Sequence, residues 1–133
     1  MSAQGTFATV FNCMDGRCQK PVFEWCQTQF GVSHVDTITL PGMDKQLAEH
    51  DYAQPQMVYI KDTMAKISVE GHGSRHAVVV GHRHCAGNPV SDEQHREDVK
   101  NAAAEIQSWG MYEKVVGLYA HVEDDGCDLE EVV

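Results

Sequence analysis

Two short stretches hold most of the side chains in this sequence that are equipped for chemistry: Cys13-Met14-Asp15-Gly16-Arg17 and Gly81-His82-Arg83-His84-Cys85-Ala86-Gly87. Each follows an apolar run that reads as a buried strand, Phe7 to Phe11 before the first and Ala77 to Val80 before the second. Two sulfurs and an imidazole delivered in this way can converge on one metal ion. Cys13, His82 and Cys85 form a ligand set suited to Zn²⁺, with bonds of about 2.3 Å to sulfur and 2.0–2.1 Å to nitrogen. His84 is a second imidazole in the same stretch. Three protein ligands leave a tetrahedral position free, which a catalytic zinc needs and a structural zinc lacks. Asp15 and Arg17 stand two and four residues beyond the first ligand. They read either as a surface ion pair of little energetic value or as a catalytic dyad. In the dyad, Arg17 keeps Asp15 ionised and oriented toward the metal's free position.

The elements that must position these residues alternate between strand and helix. Strands are expected over Thr6 to Asn12, His34 to Leu40, Arg75 to Gly81 and Lys114 to Val122, with a short last one from Leu129 to Val133 after an Asp125-Gly126 turn. Helices are expected from Pro21 to about Phe30, from Pro55 to near Gly71, and from an N-cap in Ser91-Asp92-Glu93-Gln94 to about Trp109. In the second, Met57, Ile60, Met64 and Ile67 form the inward stripe, and in the third Val99, Ala102, Ala103 and Ile106 do. Met43 to Gln54 is polar and reads equally as a short helix or an irregular loop. This alternation implies an α/β three-layer sandwich around a mostly parallel sheet of order 2-1-3-4, with the short last strand antiparallel at an edge. Strands 1 and 3 then become neighbours where the winding reverses, and ligands bind outside the carboxyl ends of the strands there.

At 133 residues the chain is expected to form a single domain, residues 1–133. Ten Lys and Arg against twenty Asp and Glu give a formal charge of -10, a field that argues against nucleic-acid and anionic membrane partners. The acidic stretch from Glu123 to Glu131 reads as a solvated turn. No apolar run approaches the ~20 residues of a membrane span. Met1 to Thr6 has neither the basic region nor the apolar core of a signal peptide. Five cysteines, an odd number, suit a reduced compartment with thiols as ligands or core filler, so cytoplasmic residence is the default.

The pair Cys13-x-Asp15-x-Arg17 and Gly81-His82-x-x-Cys85-x-Gly87, each set after its strand, resembles the β class of carbonic anhydrases. The long helix after the second motif and the segment from Val115 to Leu129 follow that family's layout too. The resemblance implies that Cys13, His82 and Cys85 ligate zinc and that Asp15 and Arg17 form the catalytic dyad. It further implies a lyase that interconverts CO2 and bicarbonate through a zinc-activated water, working as a homodimer or higher homo-oligomer. Spacing and family pattern together favour His82 over His84, which becomes a bystander or, with His72 and His76, a proton-shuttle candidate. Three positions depart from the family. Twelve residues precede Cys13 where members carry a helical arm, Thr39-Leu40-Pro41-Gly42 replaces an Arg-Asn-Ala-Gly-like run, and Ala86 replaces a glycine.

Three rival readings remain. The same fold can serve as a non-catalytic zinc protein, or act on a related small electrophile such as carbonyl sulfide or carbon disulfide. His84-Cys85 also resembles the start of a cysteine-phosphatase motif, but the required arginine falls on Ser91. Among the other thiols, Cys26 sits on the apolar stripe of the first helix, and Cys18 and Cys127 have no identifiable partner.

Overall fold

β-branched runs separated by amphipathic segments build five strands and four helices in the computed structural model, which describes residues 5–133. Residues 1–4, on which part of the reading of the N-terminus rests, lie outside it. The strands are β1 (Phe7–Asn12), β2 (His34–Thr39), β3 (His76–His82), β4 (Lys114–Glu123) and β5 (Gly126–Glu131). They form one sheet of order β2-β1-β3-β4-β5, parallel throughout except for the antiparallel β4–β5 pair. The expected order is therefore observed. The helices are α1 (Gln19–Phe30), α2 (Met43–Glu49), α3 (Pro55–Tyr59) and α4 (Asp92–Ser108).

Alternation along the strands splits the core into two layers. Val10, Val78, Val80, Val116 and Leu118 face α1, where Val22 and Cys26 meet them. Phe11, Ala77 and Val79 point the other way, toward α2, α3 and α4. As expected, α4 turns Val99, Ala102, Ala103 and Ile106 inward, and its N-cap Ser91 accepts from the Gln94 amide.

Four expectations change. First, α1 begins at Gln19, two residues before Pro21, because a 3₁₀ turn over Gly16–Cys18 already starts the winding. Second, the segment read as helix or loop is helix over Met43–Glu49, with Met43, Asp44 and Leu47 buried. Third, α3 widens into π-type turns over Ile60–Ala65 and Ile67–Gly71. The longer period carries Ala65, five residues after Ile60, and then Ser68 inward, and leaves Ile67 57% exposed. Fourth, β5 starts at Gly126 and the hairpin turn falls on Asp124 and Asp125, since pairing with β4 matches Glu123 to Gly126.

The loop after β2 and the loop after Cys85 meet backbone to backbone. Gly42 has φ +59°, and a Cβ there would stand 2.6 Å from the Gly87 carbonyl oxygen. A Cβ on Gly87 would stand 2.6 Å from the Gly42 nitrogen. Gly42→Ala is therefore expected to cost about 1–2 kcal/mol for the left-handed conformation and about 1–3 kcal/mol for overpacking. A lowered urea midpoint with an unchanged m-value is the check.

Candidate metal centre

Strand parity and strand ends together build the site. His82 shares a face with Val78 and Val80 as the last residue of β3, and Cys13 is the first residue past β1. Cys85 is brought back by a turn in which His84 takes the left-handed conformation, φ +60°. One donor atom from each of Cys13, His82 and Cys85 lies within 4.8 Å of the others. The two sulfurs are 3.9 Å apart, close to the roughly 3.8 Å edge of a tetrahedron with 2.3 Å bonds. All three residues are buried.

The imidazole is prepared for a ligand. His82 Nδ1 donates to the Arg83 carbonyl at 2.8 Å, which leaves the Nε2 lone pair free. That Nε2 is buried and has no hydrogen-bond partner, a costly state unless something binds it. Between the sulfurs, the Cys85 thiol first of all draws the Cys13 thiol down to about 3, against burial, with His82 and the Asp15 and Gly42 backbone amides assisting. Cys85 is pushed up to about 12, chiefly by the same bond to Cys13 and then by burial. The hydrogen bond between the two sulfurs therefore favours the thiolate form of Cys13. A soft donor set of two sulfurs and one orphaned imidazole nitrogen fits a divalent metal.

Asp15 and Arg17 sit at the mouth of this centre. Asp15 caps the 3₁₀ turn by accepting the Arg17 backbone N–H at Oδ1, 2.9 Å. The guanidinium returns two bonds, Nε to Oδ1 at 3.0 Å and an NH2 nitrogen to Oδ2 at 2.6 Å. The same nitrogen donates to the His84 carbonyl at 3.3 Å, so Arg17 also ties its own loop to that of Cys85. Asp15 Oδ2 lies 3.9 Å from His82 Nε2. The Arg17 guanidinium, ahead of the opposing effect of burial, holds Asp15 down at about 2.

Not every expected residue comes to the site. His76 opens β3 while His82 closes it, a separation of about 20 Å at 3.3 Å per residue. His72 is held by Asp36 at 2.6 Å and stacks on Phe7, the first residue of β1, so neither histidine is brought to the Cys13–His82–Cys85 group. His84 is exposed beside the centre. Cys26 is core filler on α1, its thiol pushed up to about 12 by burial.

Four residues around the site had been given no role in the sequence. Gln19 donates to the carbonyls of Cys13 and Asp15. Asp44 and His95 form a buried pair behind Gly81. Arg83, whose carbonyl holds His82, is itself clamped by Asp92 at 2.8 Å and by Glu123. A charged residue next to a ligand is the one signal that pointed toward Arg83.

A family model described as "Putative carbonic anhydrase" matches residues 3–131. Among solved structures, the β-carbonic anhydrase CafA of the fungal pathogen Aspergillus fumigatus matches with a TM-score of 0.46 at 17% identity, over 94% of this chain and 76% of that one. No curated protein matches.

Proposed function

The chain belongs to this carbonic anhydrase family, and on that premise we propose that it holds Zn²⁺ and catalyses the reversible hydration of CO2 to bicarbonate. The observation that carries the proposal is the convergence of Cys13, His82 and Cys85, with an unpartnered imidazole nitrogen among them. Cys13 Sγ, His82 Nε2 and Cys85 Sγ would hold the metal, with Asp15 and Arg17 as the catalytic pair. When bound, zinc supplies Lewis acidity that lowers the pKa of a coordinated water.

The remaining work falls to the chain. The Arg83 carbonyl keeps His82 in the tautomer that presents Nε2. Burial of the three ligand residues keeps bulk water from competing for them. Asp15 Oδ2 accepts the hydrogen bond that orients the nucleophile toward CO2. Arg17 occupies the other acceptor positions of the carboxylate, so Asp15 stays an ionised acceptor.

The same proposal includes a single domain acting as a homodimer or higher homo-oligomer on a small-molecule substrate, without nucleic-acid or membrane partners. The charge of -10 supports the last point, and no described helix is long and apolar enough to cross a membrane. Thiol ligands favour a reduced compartment, consistent with the cytoplasm.

Stopped-flow CO2 hydration by the zinc-loaded protein tests the reading. A rate no faster than that of zinc-containing buffer overturns catalysis and leaves a non-catalytic metal protein. Parallel assays with carbonyl sulfide and carbon disulfide show whether another electrophile is preferred.

Asp15→Asn is expected to retain the metal and to lose about 10²–10⁴-fold in hydration rate. The sign of its pH dependence follows from the lowered pKa. The stabilisation from ionised Asp15 is complete above the ordinary carboxylate pKa and is lost only as pH falls through about 2. A pH–rate profile of the parent protein should therefore show no carboxylate inflection between about pH 4 and 9.

A further inference from the structure

Gln19 belongs neither to the ligand set nor to the Asp15–Arg17 pair, yet it touches the backbone of both. Its Nε2 donates to the Cys13 carbonyl and to the Asp15 carbonyl, each at 2.9 Å. Both partners are acceptors that only an NH2 group can serve, so the orientation of the amide follows from chemistry. Two hydrogens of one group thereby hold the peptide units on either side of the Met14–Asp15 peptide. The enclosed peptide links Met14 to Asp15, so the clamp fixes the run of backbone that leads from Cys13 to the Asp15 carboxylate.

The anchor is also rigid. Gln19 is the first residue of α1, and Val22 and Cys26 fix that helix in the core beneath the sheet. The Cys13–Arg17 loop has a flexible residue, Gly16, and an exposed one, Met14. It gains from a clamp borne by a packed element in preference to one borne by the loop itself. The Cys18 amide adds a third restraint, donating to the Asp15 carbonyl at 3.2 Å.

We propose that Gln19 is a positioning residue of the metal centre, its side-chain amide holding the Cys13 sulfur on the metal and the Asp15 carboxylate at the open position. This rests on the metal-binding reading above. Partners beyond the direct ligands shift metal affinity because they fix where a ligand points.

The test uses Co²⁺ as a probe, with affinity measured by chelator competition and the thiolate-to-cobalt charge-transfer band recorded for each protein. Gln19→Glu has the same shape but no donor at working pH, and it sets a charge against two carbonyl oxygens. It is expected to bind Co²⁺ about 10–100-fold more weakly, with a shifted band and a urea midpoint close to the parent's. Gln19→Met, similar in length and without either charge or donor, should show the same loss and band shift, and it carries the test if the glutamate variant does not fold. Parent-like affinity and band position in a folded variant overturn the proposal. So does a lowered urea midpoint with an unshifted band, since that is a structural role only. Failure of the parent protein to bind cobalt overturns the metal centre itself, and the Gln19 proposal falls with it.

Discussion

Replacing Cys85 with serine is expected to lower metal affinity by more than about 100-fold, beyond the range for partners outside the ligand set, and to take CO2 hydration down to the buffer rate. In the proposed centre the thiolate would be the ligand, and a serine hydroxyl does not deprotonate in its place. Cys85 lies 3.9 Å from Cys13 and is buried, so no solvent-borne group replaces it easily. In the metal-free protein its proton is shared with Cys13, so metal uptake must release it. Affinity of the parent should accordingly rise with pH. Metal content by atomic absorption, followed by chelator competition between about pH 6 and 8, measures both effects. Cys26→Ala is the control, since it removes a buried thiol about two turns along α1 from Gln19, outside the candidate ligand set, and should keep stoichiometric metal. Stoichiometric metal in Cys85→Ser would mean that the ligand set is wrong.

The second large effect lies behind the site. Asp44 Oδ2 and His95 Nδ1 are 2.7 Å apart and both residues are almost fully buried. Asp44 also accepts from Asn88 Nδ2 at 3.1 Å. Removing one member leaves an unpaired buried polar group, so His95→Leu and Asp44→Ala are each expected to cost about 3–5 kcal/mol. Asp44→Ala combined with His95→Leu should cost less than the sum of the single changes, because neither member is then buried without the other. Urea denaturation of the parent and the three variants checks this, and strictly additive losses would show that the two residues act independently. The pair also explains Gly81. A Cβ there would stand 2.5 Å from Asp44 Oδ2, so the glycine before His82 makes room for the carboxylate.

That pair is also where the sequence was least legible. The strands and their order could be read because near-continuous apolar runs and alternation with helices leave few topologies. The convergence of Cys13, His82 and Cys85 followed from that order, because strands 1 and 3 meet where the winding reverses. The α2 segment stayed ambiguous because one of its inward residues is Asp44, which looks like a surface charge until His95, far along the chain, is seen to complete it. Ile67 was misplaced because π-type turns lengthen the period, and nothing in residue type announces them. The start of β5 was missed because Gly-Cys-Asp-Leu-Glu-Glu has little strand character of its own; its pairing with β4 imposes the extended form. Gln19 was invisible for a related reason. Its contribution is a bond to main-chain oxygens, and any residue offers those.

The ladder between β1 and β3 pairs three residues on each strand and ends at Phe11 and Val79, whereas β3 stays paired with β4 as far as His82. The two strands therefore part before the chain reaches Cys13 and His82. A metal joining Cys13 to Cys85 would tie residues 72 apart in sequence. As a cross-link it would remove freedom from the unfolded chain worth about 4 kcal/mol by the relation used for disulfides. Zinc would then serve as the covalent-like staple of the sheet's central seam as well as its reactive centre.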